Sequence, residues 1–237
     1  MWFCFDLGVI RNTPPGYTLH SSHFLCPRVQ VLDLFMELFL TLLAFIIGVR
    51  HLKNQDQRQR IALLGSYIGK YQVEKLMEQL VDGYMRAMGE SDLERRAQLW
   101  SHLSVAEGEL SEQLNRFVDD FANVWGDKTQ VSTLRLALPY GSKIFPRLAF
   151  DLRHALAIHA QGIAATLENR QQLSPRDKAY QMTAEILLMQ HTCHWYCRSR
   201  AVASARLVAQ HHTQHAQLIS AVSRQTREAY CQLTGTS

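Results

Sequence analysis

Near the start of the chain the hydrophobic positions run almost unbroken; beyond it they fall into a helical rhythm. Residues 34–49 carry a single charge, Glu37. As a helix this run is about 24 Å long, against a hydrocarbon core of about 30 Å, and residues 29–32 can extend it. From 38 to 49 the only polar side chain is Thr41. A core helix of a soluble domain keeps a polar face for water, and this one has none. The pattern predicts a membrane anchor over 29–53, with Leu38, Phe39, Leu40, Leu42, Leu43, Phe45, Ile46 and Ile47 in the lipid. Arg50, Lys53, Arg58 and Arg60 follow the run, and Asp33 and Glu37 precede it. Positive charge stays on the cytoplasmic side, so the N-terminus is expected outside and the body in the cytoplasm. The run ends in Gly48-Val49-Arg50-His51, a poor signal-peptidase site, which favours an uncleaved anchor. The competing expectation is a soluble bundle that buries this first apolar helix.

After the anchor, Ile61, Leu64, Ile68, Tyr71, Leu76, Leu80, Tyr84 and Met88 keep helical spacing, so the anchor helix is expected to run on into the body. Ser91-x-x-Glu94 and Ser104-x-x-Glu107 both match the capping box and predict two helix starts. Leu110, Leu114, Phe117, Phe121 and Trp125 form the next apolar stripe. Residues 126–146 gather turn formers, Pro139, Gly141 and Pro146 among them, and predict the longest loop of the body. A helix over 147–170 follows, lined by Leu148, Leu152, Leu156, His159, Ile163 and Leu167. Ser174-Pro175 then starts a long helix to about Gln210. The last helix is expected over 214–232, broken near Ser223. The whole reads as an all-α bundle of five to seven helices over 54–237, preceded by one membrane-anchoring helix.

Residues 1–28 lack this periodicity and read as an irregular N-terminal extension. The abrupt change before the apolar run makes Met36 an alternative start to Met1. Among the five cysteines, Cys4 and Cys26 lie in the extension and are free to pair if it is exported. An odd, sparse set of cysteines is not a disulfide framework. The net charge of +4 hides an asymmetry: residues 54–127 carry 8 Lys/Arg and 13 Asp/Glu (−5), residues 128–237 carry 13 and 5 (+8). Two halves of opposite sign favour packing on each other, and a basic surface also suits lipid headgroups. Gly65 and Gly69, four apart, would let a second helix approach closely, which admits a homodimer.

The chain holds no P-loop, dinucleotide-type glycine turn, nucleophile elbow or zinc-protease helix motif. No nucleic-acid recognition module is visible; Arg198, Arg200 and Arg206 read as a solvated or lipid-facing surface. The one cluster with ligand chemistry is His191, Cys193, His194 and Cys197, with His159 as a partner from the preceding helix. Thiolate and imidazole at helical steps can supply part of a zinc, iron or haem site. The order is not that of covalent haem attachment, and buried packing is the preferred account of cysteines on an aromatic helix face. His211, His212 and His215 form a second group at an expected helix junction. No cofactor is expected on the leading reading: a membrane-tethered helical protein without evident catalytic chemistry, acting through an unidentified protein partner at the cytoplasmic face. Metal or haem binding by the cluster around 191–197 is the alternative.

Overall fold

The computed structural model describes residues 27–135 and 138–236, with side chains from Leu34 onward. Cys4 and Cys26 and all but the last two residues of the expected extension lie outside the described residues. Two units are present, one reaching Ile46 and one over Ile47–Ser237. Helix α1, Pro27–Ile68, is unbroken because nothing between Arg28 and Ile68 interrupts it: no proline, and glycines only singly. It ends at Gly69, whose N–H donates to the Gly65 carbonyl at 3.0 Å. A Cβ on Gly69 would stand 2.9 Å from that same carbonyl oxygen, so the tight exit needs glycine.

The second unit is helical, as the periodicity predicts. Besides the last part of α1, the described residues hold six helices of eleven or more residues: α2 (Val73–Gly89), α3 (Leu93–Ala122), α5 (Leu152–Glu168), α6 (Pro175–Cys197), α7 (Arg200–His211) and α9 (Arg224–Thr234). The short α4 (Gly141–Ile144) and α8 (His215–Ala221) complete it. Strands β1 (Gln130–Ser132) and β2 (Ala149–Asp151) form an antiparallel pair, with Val131 opposite Phe150. The region read as one loop thus has its ends tied together.

Several boundaries differ from the pattern reading, each for a local reason. Asp92, not Ser91, caps α3, accepting from the N–H groups of Glu94 (2.9 Å) and Arg95 (3.1 Å). No helix starts at Ser104, because Glu107 turns inward instead of back along its own helix. Its carboxylate accepts from the Tyr84 hydroxyl at 2.6 Å and from Lys178 Nζ at 2.5 Å. Helix α5 begins at Leu152, capped by Asp151, since 146–151 form a 3-10 turn and β2; Leu148 is therefore exposed rather than on the buried stripe. The expected helix to Gln210 breaks after Cys197, where Ser199 caps α7 by accepting from the Val202 N–H. The break near Ser223 is present, and Ser223 caps α9.

Two apolar clusters hold the unit. The larger joins α2, α3, α5 and α6 and includes Leu80, Leu110, Phe117, Leu156, Ile186 and Trp195. The smaller joins α6 to α7, α8 and α9 through Leu188, Leu207, Leu218 and Tyr230. Each fully buried Leu or Phe contributes about 1.5–3 kcal/mol relative to exposure. Trp125 and Met88, expected to close their stripes, are exposed; Val124 and Ala87 are buried in their place.

Candidate functional site

Two regions gather polar side chains: a histidine layer where helices α5 to α9 meet, and residues 126–135 and 138–148 mounted on α1 and α6. Helices α5 and α6 are antiparallel, as their three-residue facing pairs show: Thr166 with Gln181, Gly162 with Glu185, and His159 with Thr192. A Cβ on Gly162 would reach within 2.6 Å of Glu185 Oε2, so glycine is what lets the two helices close here.

In the histidine layer, His159 Nε2 lies 2.9 Å from Thr192 Oγ1. Thr192 also donates to the Leu188 carbonyl (2.9 Å) and lies 3.2 Å from the Tyr230 hydroxyl. Thr192 has a single hydroxyl proton for these partners, and the donor or acceptor role of His159 Nε2 follows from which of them takes it. His191 Nε2 pairs with Ser204 Oγ at 3.1 Å, and its ring stacks on His215 with centroids 4.1 Å apart and planes 23° apart. Burial pushes all three imidazoles down: His159 to about 3, His191 to about 2, and His215 to about 4. Arg200, whose guanidinium lies 5.2 Å from the Trp195 ring centroid, adds to the depression of His191 and His215. All three rings are neutral at neutral pH.

Glu185 behaves oppositely. It is fully buried, and burial raises its carboxyl to about 7, even though Oε1 accepts the Ser223 N–H at 3.0 Å. It stands at the N-terminus of α9, where the helix dipole favours the anion and moderates the shift.

The sequence-predicted ligand set divides. His159 and His191 join one layer, with His159 bonded to Thr192, the residue next to His191, and the partner His191 meets is His215 from the second histidine group. Cys193 and Cys197 pack against the larger apolar cluster instead. Burial pushes the Cys193 thiol well up and Cys197 up to about 11, so both are protonated and weakly nucleophilic. They sit in the last two turns of α6. Cys193 and His194 border an open cavity of about 530 Å³ that also carries Glu78, Asp82 and Arg206. His154 is exposed; His211 ends α7 and His212 caps it at φ 49°, so His211 and His215 occupy separate helices. Among the described residues no three His, Cys, Asp or Glu side chains assemble as a metal-ion set. Nearly parallel stacked imidazoles direct their lone pairs past one another rather than to a common ion. His159, Thr192 and Tyr230 have no exposed surface, so no substrate reaches them in this structure.

The second region is built on α1 and α6. Trp195 Nε1 donates to the Ser132 carbonyl (2.8 Å), and the Tyr196 hydroxyl donates to the Lys128 carbonyl (2.9 Å). Arg60 binds both Asp56 oxygens at 3.2 Å, donates to the Gln130 carbonyl (2.9 Å) and Ser142 Oγ (3.3 Å), and lies 5.2 Å from the Tyr196 ring centroid. Gln57 and Arg198 bond reciprocally at the α6–α7 corner. Of the basic flank, Arg50 and Arg58 are exposed, Lys53 is half-buried, and Arg60 is committed to holding the fold. What this scaffold presents is six consecutive exposed residues, Lys143 to Leu148, together with Arg135 and Leu138. Sequence reading recognised a long loop here but not its exposed apolar content. The available signal was the absence of any acidic residue from 128 to 150 combined with unphased apolar side chains.

Compared with protein-family models, curated proteins and solved structures, the chain matches none.

Proposed function

We propose that this chain is a membrane-tethered α-helical protein whose body works by protein contact at the cytoplasmic face, without catalytic chemistry of its own. The observation that carries the reading lies in the described part of α1. Within Leu34–Ile68, an 18-residue window has a mean hydropathy of 1.8, and none of it is buried. Phe39, Phe45 and Ile47 are each about 60% exposed or more, a waste of apolar surface in water. At roughly 25 cal/mol per Å², transfer of such a run to lipid is strongly favourable. A soluble bundle with this helix buried would need a cover from outside the described residues. Exposed Arg50 and Arg58 at the end of the run support the cytoplasmic orientation by the positive-inside rule.

Contact with a protein partner is supported by an open cavity of about 530 Å³ between α2 and α6. Met85, Met88 and Tyr180 line it and are exposed. Unbranched methionines repack readily against different partners. Membrane fractionation tests the tether: the chain stays with the membrane through carbonate and high-salt washes and leaves only with detergent. Release without detergent refutes it. Protease added to sealed inside-out vesicles tests the side, and digestion of the body is the expected result.

A further inference from the structure

We infer that the 138–148 segment is an interfacial foot that rests on an anionic lipid surface; the inference builds on the membrane reading of α1. Leu138, Ile144, Phe145 and Leu148 are 46%, 61%, 44% and 46% exposed within eleven residues. Arg135, Lys143 and Arg147 are exposed among them, and no acidic residue occurs from 128 to 150. Exposed apolar side chains interleaved with cations suit the boundary between headgroups and acyl chains.

Position supports the same occupant. The apolar run ends at Val49, and Lys53 lies four residues further along α1, about 6 Å by helical rise. The headgroup layer outside the hydrocarbon is about 5–7 Å thick on each side. Lys53 shares the lining of one small cavity with Leu134 and Leu138. The bonds from Arg60 to the Gln130 carbonyl and Ser142 Oγ fix the segment to this same stretch of α1. The Thr133 N–H donates to the Leu148 carbonyl at 2.9 Å, which ties the far end of the segment to the residue after β1. The segment therefore lies against the stretch of α1 that follows the apolar run.

The test is hydrogen exchange on the full chain in lipid discs, one set of phosphatidylcholine alone and one with added phosphatidylglycerol. Amides of 138–148 are expected to exchange more slowly in the anionic discs. Each basic residue near the surface is worth about a fivefold effect, so the three together give about a hundredfold. High salt and the combined variant Arg135→Gln, Lys143→Gln, Arg147→Gln are both expected to remove the difference, without changing protection of α2 or α6. Equal exchange in the two discs, with residues 34–49 still protected, overturns the foot while leaving the tether intact. Protection that arises only on adding a second polypeptide also overturns it. A chain that does not enter discs at all refutes the tether, and the foot with it.

Discussion

Acidification should loosen this protein at the histidine layer. His159, His191 and His215 are neutral in the fold, with values near 3, 2 and 4, whereas an unfolded histidine titrates near 6.5. Below about 6.5 the unfolded chain binds protons that the folded chain does not, so stability falls as pH falls. The loss begins near 6.5 and, for each ring, ends once pH passes its folded value. Between about pH 7 and about pH 5 each ring costs about 2 kcal/mol, or about 5–6 kcal/mol for the three. Glu185 opposes this. Its carboxyl, raised to about 7, stays protonated in the fold, so stability drops as pH rises from about 4.5 to about 7. Over the same window acidification recovers about 2 kcal/mol through Glu185, leaving a net loss of about 3–4 kcal/mol. Urea unfolding of the detergent-solubilised chain, followed by circular dichroism across this range, measures the change. His215→Phe keeps the stack on His191 but removes one proton site. It should cut the acid-induced loss by about 2 kcal/mol. A wild-type midpoint that holds or rises on acidification, or a His215→Phe variant with the wild-type pH slope, would refute the argument that burial sets these rings.

Other substitutions separate the forces at work. Gly162→Ala places a Cβ against Glu185 and Thr226 and should destabilise by about 1–3 kcal/mol in urea unfolding, because both neighbours are buried. Lys178→Met strands the buried Glu107 carboxylate with only the Tyr84 hydroxyl and should cost about 3–5 kcal/mol, read from the same unfolding curves. Asp92→Ala should cost about 1 kcal/mol through the lost cap of α3, whereas Ser91→Ala and Ser104→Ala should be within about 0.5 kcal/mol of wild type. Trp195→Phe removes the bond to the Ser132 carbonyl and should speed limited proteolysis within 126–148 while leaving overall helicity unchanged.

Local chemistry in the sequence was enough to determine the helical class, the apolar stretch of α1, the Ser174-Pro175 start of α6 and the break at Ser223. Each depends on neighbours within a turn or two, where spacing and capping preferences act directly. The same information misplaced the α3 cap by one residue, since Ser91 and Asp92 are both good caps and only backbone direction chooses between them. It also invented a start at Ser104, because the glutamate of that motif answers to Tyr84 and Lys178, which lie 23 and 71 residues away. His159 was legible as a member of the apolar face of its helix. Its bond to Thr192, the stacking of His191 on His215 and the raised carboxyl of Glu185 were not, because they arise where five helices converge. Sequence periodicity reports which face of a helix is apolar, but not the rotation and height at which two helices meet. Those are set by close packing of the whole core, down to the missing Cβ at Gly162, and they decide which polar groups find partners and which titrate abnormally.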